Sequence, residues 1–145
     1  MRLVVQRVSE AKVSVDNKTI GQIDHGFLVL LGITHNDTKE QVIKLVDKLA
    51  KLRIFEDQDG KMNNNIIQSA GNILVVSQFT LYADCKKGNR PSFIDAARPE
   101  VAEPLYDYFV KKIDELGVKV SAGKFGAYMQ VSLINDGPVT LVLES

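Results

Sequence analysis

The chain has 145 residues, 45% hydrophobic and 25% charged, and its 18 basic side chains balance 18 acidic ones. That length buries roughly two-thirds of the unfolded surface, enough for one domain over 1–145 that needs neither disulfide nor structural metal. A lone cysteine (Cys85) and two histidines (His25 and His35) exclude an intramolecular disulfide and the common zinc patterns, and zero net charge argues against broad attraction to nucleic acid. The Met1 to Val8 stretch, with Arg2 and Arg7 in a short apolar run, fits neither a secretory signal nor a transmembrane helix. The expectation is a cytoplasmic chain with no cofactor, no metal, and no membrane or DNA partner.

In chain order, Leu3-Val4-Val5 and Val8 open a strand, and Lys12 to Asp16 alternates with Val13 and Val15 on one face. Asp16-Asn17 reads as a turn and Thr19 to Asp24 as the returning strand. Phe27 to Ile33 is an apolar run marked by Gly26 and Gly32, a buried central strand. Thr38 and Gln41 form a capping box ahead of Val42, Leu45, Val46, Leu49 and Leu52, which predicts an amphipathic helix from about 38 to 52. Glu56 to Gly60 turns the chain before Asn63-Asn64-Asn65, and Asn72 to Leu81 reads as a strand. Lys86 to Pro91 is a basic loop. Pro99 suits the first turn of a second helix with Val101, Leu105, Phe109, Ile113 and Leu116 as its stripe and Gly117 as its stop. Val118 to Val120, Met129 to Ile134 and Val139 to Leu143 read as strands, the last two joined as a hairpin through Asp136-Gly137-Pro138. Two helices among seven or eight strands predict a mixed α/β fold of largely antiparallel sheet with the helices packed on one side.

Several stretches stand out against this scaffold. Ser77-Gln78-Phe79-Thr80-Leu81 places hydroxyls and an amide in an apolar strand, where they need partners. A regular strand puts Gln78 and Thr80 on one face and Ser77 on the other, whereas a bend at the strand end reunites them. Asn135-Asp136-Gly137-Pro138-Val139-Thr140 reads as a turn, with a Gly-Pro bond that can be cis or trans. Lys124-Phe125-Gly126-Ala127-Tyr128-Met129 sets small residues between aromatic and thioether groups, suited either to core packing or to stacking on a flat base. Residues 85–98 carry four basic groups against one acidic group, so Lys86, Lys87 and Arg90 are candidates for phosphate contacts, the alternative being a solvated surface. Arg7, between Val5 and Val8, is either a surface arginine or a guanidinium bracing backbone carbonyls.

The Ser77 to Leu81 and Asn135 to Thr140 motifs resemble those of the D-aminoacyl-tRNA deacylases of bacterial type, the D-tyrosyl-tRNA(Tyr) deacylases. The resemblance extends over Met1 to Val8, Leu52 to Asp57, Gly88 to Phe93, and Phe125-Gly126-Ala127 with Met129, with no departure in the two signature motifs. It implies a full-length member without an appended domain. It also implies a homodimer, with the dimer interface formed by sheet and loops and the active sites at that interface. Ser77, Gln78, Phe79 and Thr80 then line the catalytic pocket of one subunit, while Gly137 and Pro138 come from the partner. On the same resemblance the Gly137-Pro138 bond is cis and its carbonyls form a chiral gate that leaves no room for an L side chain. Arg7 holds that gate, and Phe125, Ala127 and Met129 receive the terminal adenosine of an aminoacyl-tRNA. The implied reaction is ester hydrolysis of D-aminoacyl-tRNA, and of glycyl-tRNA as well, as proofreading in translation.

An aminoacyl ester is already activated, so positioning plus oxyanion stabilisation can drive its hydrolysis. Backbone amides near Phe79 and Thr80 and the Gln78 amide are the donors, with the ribose 2′-hydroxyl assisting the attacking water. The alternative makes Thr80 a covalent nucleophile, which needs a base. Two other function classes fit the same residues: a noncatalytic RNA-binding module, and a hydrolase of free D-amino acid esters or amides.

Overall fold

The computed structural model describes residues 1–145. Its spine is β1, one continuous strand over Arg2–Val15. On one edge the first half of β1 pairs antiparallel with β3 (Gly26–Gly32), and its second half with β2 (Lys18–Ile23). On the other edge it pairs antiparallel with β8 (Gln130–Glu144), from Arg2 opposite Glu144 to Ser14 opposite Gln130. Beyond β3 the sheet continues in parallel through β6 (Asn72–Ser77) to β7 (Val120–Ala122). A small hairpin pairs β4 (Phe55–Glu56) with β5 (Met62–Asn64). The fold is the expected mixed α/β arrangement with mainly antiparallel strands.

Helix α1 (Lys39–Lys51) starts where the sequence marks it: Thr38 and Gln41 complete the capping box. Helix α2 (Pro99–Asp114) begins on Pro99, whose missing N–H costs nothing in a first turn. Both lie on one face of the sheet. Val42, Leu45 and Leu49 of α1 and Leu105, Phe109 and Ile113 of α2 bury against Leu3, Val5, Phe27, Val29, Ile73 and Val75. Two members of the expected α2 stripe, Val101 and Leu116, are exposed instead, and Ala102 and Tyr106 take their place in the core. The opposite face of the sheet holds a second cluster around Val8, Val13, Leu28, Leu74 and Val76, covered by Met129, Val131 and Leu133. Central strand β3 is therefore buried on both faces, which explains its unbroken apolar run. Neither helix is long and apolar enough to cross a membrane.

Two expectations fail in informative ways. The strand expected through Leu81 stops at Ser77 and is followed by a 3-10 turn over Phe79–Tyr82. The hairpin expected at Asp136-Gly137-Pro138 is absent. Residues 130–135 and 140–144 pair with the same strand, β1, in the same direction, so the chain does not reverse. Residues 136–139 bulge out of β8 opposite Arg7, and the register shifts around that residue record the insertion.

Candidate active site

The end of β6 is bent by its neighbour. The last ladder bond runs from the Gln78 N–H to the Leu31 carbonyl at 2.8 Å, after which Gln78 leaves strand geometry at φ −145°, ψ 79°. The 3-10 turn then lies directly over Gly32. A Cβ there would sit 2.9 Å from Leu81 Cβ and 3.2 Å from the Gln78 carbonyl oxygen, so the absent side chain is what admits the turn. The bend brings Gln78 and Thr80 together, with Gln78 Nε2 donating to Thr80 Oγ1 at 2.5 Å. Ser77, Gln78 and Thr80 are half-buried and Phe79 is 56% exposed. As the first residues of a short turn, Phe79 and Thr80 have no acceptor for their N–H groups within it.

Ser77, Gln78 and Phe79 form one wall of a cleft of about 580 Å³. Phe125, Ala127 and Met129 form a second wall, and Phe93 with the start of α2 a third. The Phe79 and Phe93 rings meet edge to face at 5.1 Å. Tyr106 of α2 pins the second wall: its buried hydroxyl lies 2.9 Å from the Val75 carbonyl and 3.1 Å from that of Gly123. Burial of the phenol pushes its pKa up to about 12, because the charged form would lose its hydration. The same ring packs on Phe125 at 5.8 Å. The cleft is thus largely apolar with a polar edge at Ser77 and Gln78, the arrangement of a small-molecule site.

The Gly137-Pro138 segment lies elsewhere on the chain. Its peptide bond is cis, and it sits against Arg7 rather than in this cleft. Arg7 is 5% exposed; its Nε donates to the Asp136 carbonyl at 2.9 Å and Nη1 to the Ile54 carbonyl at 2.7 Å. Of the two readings of this residue, the brace is the one observed. The Asp136 carboxylate stands 3.4 Å from the same guanidinium. Within one chain, then, the first and third stretches meet in the cleft, while Gly137 and Pro138 join Arg7 outside it.

Lys86, Lys87 and Arg90 are exposed on a loop closed by a two-way backbone bridge between Asp84 and Ser92, next to Phe93 of the cleft wall. The histidines are engaged elsewhere: the His25 ring packs tilted against Phe55 at 4.8 Å, and His35 Nε2 is 2.7 Å from the Ile94 carbonyl. Neither lines the cleft. No three His, Cys, Asp or Glu side chains are grouped to hold a metal ion.

The D-Tyr-tRNA(Tyr) deacylase family matches residues 4–144. This chain belongs to that family. A D-aminoacyl-tRNA deacylase from Brevibacillus brevis is 59% identical over 145 residues, covering 100% of both chains. One from Bacillus cereus is 54% identical, covering 100% of this chain and 99% of its own. Among solved structures, a c-Myc DNA Unwinding Element Binding Protein superposes with a TM-score of 0.94 at 44% identity, covering 100% of this chain and 99% of that one. A probable eukaryotic D-amino acid tRNA deacylase shares the fold, with a TM-score of 0.87 at 20% identity over 98% of this chain and 97% of its own.

Sequence reasoning missed the third wall of this deacylase-family cleft, formed by Phe93, Ala96, Ala97, Arg98, Pro99 and Ala102. Arg98 had a readable signal: a cation stands at the helix start, where an oxygen-bearing cap is the rule. Tyr128, also on the cleft, is 88% exposed, a surface aromatic without a packing role.

Proposed function

We propose that this chain hydrolyses the ester linking a D-amino acid to tRNA, releasing the free D-amino acid and tRNA. The observation that carries the reading is the polar edge of Ser77 and Gln78 on an apolar cleft, with Thr80 held to Gln78 just outside the lining, in a chain matched end to end by deacylases. In this reading the N–H groups of Phe79 and Thr80 and the Gln78 amide receive the oxyanion. The 2′-hydroxyl of the terminal ribose assists the water, and the wall at Phe125, Ala127 and Met129 takes the terminal adenosine. A Thr80 nucleophile is disfavoured because its Oγ1 faces an amide donor, not a base, and both histidines are engaged elsewhere.

The chiral gate is assigned to Gly137 and Pro138 of a second subunit, braced by Arg7, because in one chain this segment lies outside the cleft. Carbonyls acting as a wall exclude an L β-carbon, ignore D side chains and leave glycine unhindered, so glycyl-tRNA is a substrate too. Lys86, Lys87 and Arg90 are assigned to acceptor-stem phosphates, since their loop is rooted beside the cleft wall. Tight clustering of cations in one loop, on a chain of zero net charge, favours contact with an RNA end over coverage of a DNA duplex.

Incubation with D-tyrosyl-tRNA and L-tyrosyl-tRNA tests the reading. Release of D-tyrosine with L-tyrosyl-tRNA left intact is expected. Binding of both without turnover assigns a noncatalytic module, and equal hydrolysis of a free D-tyrosine ester assigns a hydrolase that needs no tRNA.

A further inference from the structure

We propose that Arg98 is a phosphate-binding residue of the cleft, holding the phosphodiester on the 5′ side of the terminal nucleoside of the tRNA. The proposal rests on the deacylase reading of the same cleft. Arg98 is the single charged residue on a lining that is otherwise apolar or uncharged. The ion pairs of the chain all lie elsewhere, so its guanidinium has no carboxylate partner.

Its place in the chain works against the local structure. Arg98 is the N-cap of α2 and makes no side-chain cap bond, although its carbonyl accepts the N–H groups of Val101 and Ala102 at 3.0 and 2.9 Å. Serine, threonine or aspartate would satisfy a free N–H there, and a cation faces the positive end of the helix dipole. Helix stability therefore does not account for an arginine at this position. A residue that breaks a local rule at the edge of a cleft is a candidate for function.

The chemistry of the substrate supplies the partner. The scissile ester sits on the terminal ribose, so the nearest charge of the RNA is the phosphodiester at the 5′ oxygen of the same sugar. A guanidinium fork matches two phosphate oxygens, and no other charge on the cleft lining competes for them. The cleft thus reads one feature common to every tRNA, which suits an enzyme that must act regardless of the anticodon.

The test uses the full chain, Arg98→Ala and Arg98→Lys. Titration with adenosine and with adenosine 5′-monophosphate is expected to show about tenfold tighter binding of the nucleotide by the unsubstituted chain. Arg98→Ala should erase that preference and Arg98→Lys should restore part of it. With D-tyrosyl-tRNA the loss in Arg98→Ala should fall on KM. Absence of a preference in the unsubstituted chain, or its retention in Arg98→Ala, overturns the proposal. So does equal weakening of adenosine and nucleotide, which makes Arg98 a wall support only. A preference lost without any change in KM for D-tyrosyl-tRNA overturns the tRNA source and leaves a free-nucleotide site. If the unsubstituted chain hydrolyses no D-tyrosyl-tRNA, the deacylase reading falls, and the adenosine and nucleotide titrations still decide whether Arg98 binds phosphate.

Discussion

Arg7 shows how one side chain ties distant parts of the fold together. Its fork spans the Asp136 and Ile54 carbonyls, 129 and 47 residues away in the chain. Lysine keeps the charge but offers a single ammonium in place of the planar fork, so at least one buried carbonyl is left unpaired. An unsatisfied buried group costs about 1–3 kcal/mol, and Arg7→Lys should lower stability by about 2 kcal/mol, or roughly 4–8 °C in Tm for a chain of this size. Thermal unfolding checks it, and an unchanged Tm would mean the carbonyls find water instead. Thr80 tests the chemistry at the same scale. Thr80→Ala should leave substantial turnover of D-tyrosyl-tRNA if the substrate's own hydroxyl assists the water. Complete loss together with an acyl-enzyme trapped on the unsubstituted chain would make Thr80 the nucleophile.

The bend after β6 exists because β3 ends on a residue without a side chain. Gly32→Ala places a Cβ 2.9 Å from Leu81 Cβ and 3.2 Å from the Gln78 carbonyl, so the 3-10 turn must shift. Deacylation should fall by about tenfold or more, since displacement of the groups on the turn by about 1 Å is costly, while the fold persists because the change falls on the last residue of β3 and leaves the rest of its pairing intact. A variant as active as the parent would detach the turn from catalysis. Tyr106 links α2 to β6 and β7, and its pKa gives a pH signature. Below pH 10 the phenol is protonated in both folded and unfolded chains and contributes in full. As pH rises from 10.0 toward about 12, the unfolded chain loses the proton first and this contribution drains away. Unfolding free energy should therefore drop between about pH 8 and about pH 11.5 by up to about 2 kcal/mol more in the parent than in Tyr106→Phe. Parallel declines in urea titrations would refute the burial of this phenol. These elements also mark what was legible in the sequence. Helix α1 was, because capping box and apolar spacing are both local; Ser77 to Thr80 showed only that hydroxyls and an amide in an apolar strand need partners, and Phe125 to Met129 suited core packing as well as a stacking surface. The stop at Ser77 was not, because its cause is Gly32, distant in the chain. Asp136-Gly137-Pro138 looked like a reversal because local turn chemistry is the same in a hairpin and in a bulge; only the shared pairing with β1 separates them.

At the scale of the molecule, the two halves of the proposed site do not meet within one chain. β8 pairs with β1 on one side only and forms an outer edge 15 residues long. Its outward positions include Ile134, 54% exposed, and Val142, 60% exposed. A long, apolar, unpaired edge invites association, and a two-fold partner laid against this face would bring its own Gly137-Pro138 segment with it. Mixing two inactive variants tests this arrangement directly. Gln78→Ala removes the amide from the cleft edge. Gly137→Ala, at φ +133° with its new Cβ 2.7 Å from Val139 and 3.2 Å from the Arg7 guanidinium, disrupts the gate. In a mixed dimer one site inherits both defects. The other combines an intact cleft from the Gly137→Ala subunit with an intact gate from the Gln78→Ala subunit. Random exchange makes half of the dimers mixed, so after unfolding and refolding together the mixture should recover about one quarter of the parent activity. Each variant refolded alone should stay inactive. A mixture that remains as inactive as its components, with subunit exchange verified by mass-tagged chains, would place cleft and gate in the same subunit and require another route for Gly137 to reach the substrate.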